Sequence, residues 1–125
     1  MDEKIIKFDV SKEFYFKEGC FVLEQYNVPE DSLLSIARAR VEPNKKTRWH
    51  RLKDTTERYY ILAGTGIVEI GAMPPKEVAP GDIIVIPPLC PQRIKNIGAE
   101  DLIFLAICTP RFEIKNYEDI EDYPF

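Results

Sequence analysis

Residues 47–66 read TRWHRLKDTTERYYILAGTG. His50, the one histidine of the chain, stands near its start, and Glu57 follows seven residues later. The β-rich run RYYIL then leads into Gly64-Thr65-Gly66. Residues two apart in a strand face the same way. On that parity Arg48, His50 and Leu52 share a face, with Trp49 and Arg51 on the other. In the next run Glu57, Tyr59 and Ile61 share a face, opposite Arg58, Tyr60 and Leu62. RWHRL and ERYYIL therefore read as two strands separated by the loop KDTT.

The same rhythm extends in both directions. Ten prolines and six glycines punctuate short β-branched and aromatic runs, the mark of an all-β chain. IIKFDV, EFYF and CFVLEQY precede LLSIARARVEP, in which Ile36, Arg38 and Arg40 alternate with Ala37, Ala39 and Val41. GIVEIG, IIVIPP, QRIKNIG and DLIFLAIC follow, and AMPPKEVAPGD reads as a loop with at most a short strand. No stretch carries a helical period. Nine or ten short strands need two packed sheets or a closed barrel, and 125 residues fit one domain able to bury a core without disulfides. The expected barrel core spans about 33–108, with N-terminal strands over 4–26. The ending, 111–125, reads as an acidic, solvated tail. Its aromatics (Phe112, Tyr117, Tyr123, Phe125) could instead cover the sheet or a partner chain.

The bulk properties remove several classes of function. Net charge is −4, and no basic face marks a nucleic-acid binder. No apolar run approaches the roughly eighteen residues of a membrane span. An acidic start running into alternating residues is unlike a signal peptide, so a cytoplasmic location is expected. Cys20, Cys90 and Cys108 form no metal knuckle and read as free, inert thiols. The glycines sit at turns, with no strand–Gly–helix context for a nucleotide.

From Pro43 to Asn96 the chain resembles the cupin superfamily of small β-barrels. The first cupin motif has the form G-x5-H-x-H-x(3,4)-E-x6-G. Here Asn44 stands for the first glycine, His50 and Glu57 match, Leu52 replaces the second histidine, and Gly64 closes the motif. The second has the form G-x5-P-x-G-x2-H-x3-N. Gly81, Pro87 and Asn96 match, while Leu89 replaces the glycine and Gln92 the histidine. The resemblance implies a cupin-type double-stranded β-helix, a jelly-roll barrel. It also implies a small-molecule ligand in the barrel and, commonly, a homodimer.

A carboxylate inside a barrel must be paired, hydrogen-bonded or bound to a cation. If the cupin register holds, His50, Glu57 and Gln92 converge, and two arrangements are open. A divalent transition metal (Mn, Fe, Ni or Zn) could take an imidazole nitrogen, a carboxylate and the Gln92 amide oxygen. Alternatively, Glu57 orients a metal-free His50 that acts as general base. Tyr59 is a candidate proton donor, and Arg48 and Arg38 are candidate clamps for a substrate anion. Two functions follow. One is an enzyme acting on a small polar organic molecule, metal-dependent in one form and of dioxygenase, isomerase or lyase type. The other is a metal-free module that binds or senses a small molecule without catalysis.

Overall fold

The computed structural model describes residues 1–122. Tyr123 and Phe125 of the expected tail lie outside the described residues. Among the described residues eleven short strands form two antiparallel sheets. One sheet contains β1 (Phe14–Phe16), β2 (Cys20–Tyr26), β3 (Ser35–Val41), β5 (Thr56–Ala63), β8 (Ile83–Ile86) and β10 (Leu102–Thr109), in the order β1-β2-β3-β10-β5-β8. The other contains β4 (His50–Leu52), β6 (Gly66–Ile70), β7 (Lys76–Val78), β9 (Gln92–Asn96) and β11 (Tyr117–Asp119), in the order β11-β4-β9-β6-β7. Two single-turn 3-10 helices, Val10–Lys12 and Ile114–Asn116, complete the elements. This is the expected all-β architecture of two packed antiparallel sheets. No helix among the described residues is long and apolar enough to cross a membrane.

Alternation decides which side chains go inside. In β5, Glu57, Tyr59 and Ile61 are buried while Tyr60 and Leu62 are exposed. In β9, Gln92, Ile94 and Asn96 are buried, and outward-facing Arg93 pairs with Glu69 across the β6–β9 ladder. One part of the interior is filled by Val41, Ile61, Val68, Ile84, Ile94 and Leu102. Such residues need no partner beyond each other, since burial of their apolar area is itself favourable. The rest of the interior stays open as the site described below.

The motif residues have identifiable mechanical roles. Gly64 lies at φ +83, and a Cβ there would meet the Asp101 carbonyl oxygen at 2.7 Å. Asn44 adopts φ 66, a left-handed conformation that asparagine tolerates. Leu89, in place of a motif glycine, is held at φ 66 as well, where a Cβ is unfavourable. Asn96 is fully buried; its amide donates to the Val41 and Glu100 carbonyls and its oxygen accepts from Gly98.

Two expectations at the termini need correction. IIKFDV forms no strand: Ile5 and Phe8 are exposed, and the segment ends in the Val10–Lys12 turn capped by Asp9. Alternation alone gave it no partner, because β1 pairs with β2 and takes that place at the sheet margin. The acidic ending is not a solvated tail over its described part. β11 pairs with β4, and Tyr117 and Ile120 are buried. Its acidic groups find counter-charges, Glu118 on Arg51 and Asp119 on Arg48.

Candidate functional site

Between the two sheets lies a cleft of about 650 Å³, counting the open space at its mouth. Strands β1, β2, β3, β5 and β10 line one side and β4 and β11 the other. His50, Glu57 and Tyr59 all face it, as their parity requires.

His50 opens β4, opposite Gln92 on β9 and Asp119 on β11. Its Nδ1 lies 2.7 Å from the Arg48 carbonyl. A carbonyl only accepts, so Nδ1 carries a hydrogen. Its Nε2 lies 2.9 Å from a carboxylate oxygen of Glu18. Glu18 sits in the tight turn between β1 and β2, which Gly19 makes possible at φ +100. That turn is fastened to the chain before β4 because the Arg48 N–H donates to the Glu18 carbonyl at 2.8 Å. Tyr117 stacks on the imidazole with ring centroids 5.4 Å apart.

Burial disfavours a charged His50, but the charge and hydrogen bond of Glu18 outweigh it, and the imidazolium pKa is pushed up to about 9. Burial likewise opposes ionisation of Glu18, yet the His50 charge holds its carboxyl below the usual range. The two form an ion pair at neutral pH. Glu57 is different. Burial raises its carboxyl to about 7, with the His50 charge opposing. Gln92 donates its amide to Glu57 at 2.9 Å, and the Cys108 thiol donates at 3.7 Å. The Tyr59 hydroxyl donates to the Gln92 oxygen. A hydrogen-bonded chain Tyr59–Gln92–Glu57 therefore crosses from β5 to β9 and back.

The donor set His50, Glu57 and Gln92 does not fit a divalent metal as these residues are arranged. The outward nitrogen of His50 is taken by Glu18, and Gln92 turns its NH2, a donor, toward Glu57 and its oxygen toward Tyr59. Leu52 offers no ligand atom at all. Among the described residues no three His, Cys, Asp or Glu side chains converge as a metal group would require.

The two arginines do not reach the cleft, which corrects their expected placement. Arg48 precedes β4, so strand parity does not govern it; its guanidinium turns outward to Asp119 at 2.7 Å. Arg38 lies on the outer parity of β3, ion-paired to Glu13 at 3.4 Å. Inward Ala37 and Ala39 line the cleft instead. Of two further cleft residues, Glu18 carried no sequence signal, while Tyr117 was legible only as one of the tail aromatics that could cover the sheet. One is a turn residue and the other belongs to an acidic ending, and only the folded chain brings them to His50. Cys108 also reaches the site, with burial and the Glu57 charge pushing its thiol up. Cys90 lies apart from the cleft and burial raises its thiol too, so neither has thiolate character at neutral pH.

The family model described as "Cupin domain" matches residues 37–108. Over 122 residues the chain is 34% identical to the uncharacterized protein MJ1618 of Methanocaldococcus jannaschii, covering 94% of this chain and 97% of that one. Among solved structures it is similar to Pac13, described as a unique nucleoside dehydratase, at TM-score 0.76 and 16% identity over 94% of this chain and 92% of that one. It is also similar to oxalate decarboxylase of Lactobacillus farciminis, at TM-score 0.75 and 22% identity, covering 87% of this chain and 33% of that one.

Proposed function

The chain belongs to the cupin family, and from that premise we propose that it is a metal-independent proton-transfer enzyme of isomerase or lyase type acting on a small polar organic molecule. One observation carries the reading: a carboxyl raised to about 7 and an imidazolium raised to about 9 line the same cleft. Both groups are pushed toward their protonated forms, and a carboxyl that titrates near neutrality beside a fixed imidazolium is a candidate acid–base group.

Glu57 is the proton carrier. Near neutrality both its forms are present, which is the condition for efficient general acid–base work. As carboxylate it takes a proton from a carbon next to a carbonyl. Both ring N–H groups of His50 are already bonded, to the Arg48 carbonyl and to Glu18, so it gives the substrate no hydrogen bond and acts on the negative charge developing at the carbonyl oxygen only through the field of its ion pair. Glu57 then returns the proton to a neighbouring atom, which completes an isomerisation, or passes it to a departing hydroxyl, which leaves as water. No electrons are exchanged with the medium and no further reactant is needed. The fold likeness to a nucleoside dehydratase is compatible with such an elimination.

The test is hydrogen exchange in D2O, followed by NMR, on a panel of small neutral carbonyl and hydroxyl compounds that includes uridine, with a chelator present throughout. Catalysed exchange or conversion should survive the chelator and fall about 10²- to 10⁴-fold in Glu57→Gln. Activity that disappears with chelator and returns with a divalent metal would overturn the reading. Compounds that bind without any exchange would leave a binding module.

A further inference from the structure

The cleft has two features that the proton-transfer reading leaves unused. The first is Tyr117. Its side chain is more than nine-tenths buried and lines the cleft, and its hydroxyl is closed off from solvent with no hydrogen-bond partner among the described residues. A buried hydroxyl with nothing to bond is costly, and the ring that carries it stacks on the His50 imidazole. The second is charge. Among the described residues no lysine or arginine lines the cleft, and the cationic His50 is already neutralised by Glu18. Glu24 and Glu57 add only negative charge. Lys17, whose ammonium lies 4.9 Å from the centre of the Tyr117 ring, is exposed to solvent and is not among the lining residues.

We propose that the cleft takes an uncharged, planar, hydrogen-bonding molecule rather than a carboxylate or phosphate, and that the Tyr117 hydroxyl is one of its binding groups. The inference rests on the proton-transfer reading only for the location of the site. The remaining walls suit a flat ring: Phe14, Phe16, Phe104 and Phe112 line the cleft, and aromatic faces favour offset or edge contacts with a ring. An anion would have to leave water for a cleft with no free cation, which is a strongly unfavourable transfer. A neutral amide or carbonyl supplies the acceptor that the Tyr117 O–H lacks, provided the Tyr117 side chain shifts enough to open that hydroxyl to the cleft.

Glu18 and Tyr117 both lie outside residues 37–108, the part that matches the cupin family model. The family core therefore contributes Glu57, Tyr59, Gln92 and His50, while the flanking turn and the last described strand set what the cleft selects.

Because the chain holds a single histidine, its ring C–H signals report on the cleft without ambiguity. The experiment follows them by NMR at pH 7 while adding benzamide or benzoate, two probes of one shape that differ in charge, up to their solubility limits. Benzamide should shift the His50 signals with an affinity at least about tenfold above that of benzoate. In Tyr117→Phe the benzamide affinity should drop about tenfold, while the variant melts no lower than the parent because an unpaired hydroxyl has been removed. Equal or tighter binding of benzoate, absence of binding by both probes, or unchanged benzamide affinity in Tyr117→Phe would each overturn the proposal. Binding is measured here without turnover. Failed hydrogen exchange with intact benzamide selectivity therefore sinks the catalytic reading alone.

Discussion

At the residue scale the decisive contact is between His50 and Glu18. A lone histidine ordinarily titrates near 6.5. Here the carboxylate 2.9 Å away raises it to about 9 despite burial. The His50 ring signals should therefore titrate with a midpoint well above 7, and in Glu18→Gln that midpoint should fall because burial is then opposed only by the Arg48 carbonyl and the Glu57 charge. NMR of the single histidine reads both directly. Leu89 offers a second check. It holds a left-handed conformation, is half exposed, and contributes its N–H to the Leu52 carbonyl at 2.8 Å. Glycine keeps that N–H and removes the Cβ conflict. Leu89→Gly should stabilise the protein by up to about 1 kcal/mol in urea denaturation, the difference between the left-handed penalty and the added chain entropy.

At the element scale the informative strands are short. β4 spans three residues and carries the histidine. Its parity placed His50 and Leu52 inside, but the same parity extended back to Arg48 failed because the strand does not reach it. β11 is also three residues long. It covers the outer margin of β4, brings Tyr117 against His50, and is followed by Ile120, which is buried and donates its N–H to the Trp49 carbonyl at 2.9 Å. A segment that looked like a charged tail therefore closes one side of the site. Ile120→Ala should destabilise the fold by about 2–5 kcal/mol, the usual cost of emptying a fully buried aliphatic position. It should also disturb the His50 ring signals, since Tyr117 loses its neighbouring anchor. A near-neutral thermal melt with unchanged signals would show that β11 is dispensable.

At the scale of the whole molecule, the three buried titrating groups shape stability against pH. Glu57 is raised, so its contribution is full below its ordinary value of 4.5 and is lost as pH climbs through about 7. His50 is raised as well, and its contribution is full below 6.5 and lost as pH climbs through about 9. Glu18 is lowered, so its contribution is present above 4.5 and lost as pH falls through its depressed value. Stability should therefore peak at acid pH and fall in two steps as pH rises, one complete by about 7 and the other by about 9. In Glu57→Gln the step near 7 should vanish and the step near 9 remain, as urea titrations across pH would reveal. Much of this was legible in the amino-acid order. Period-two alternation and turn residues carry local information, so the barrel, the inward set His50, Glu57, Tyr59 and Gln92, and the turn at Gly64 could be read from the chain alone. Alternation also misled, at IIKFDV, because a strand needs a partner that no local pattern supplies. Everything that sets the chemistry of the cleft came from contacts between residues far apart in sequence. Glu18 meets His50, Tyr117 stacks on it, and Arg38 and Arg48 are drawn off to Glu13 and Asp119. A local pattern says which way a side chain points. Only the closed barrel decides what it meets there, and charge state and hydrogen bonding depend on what it meets.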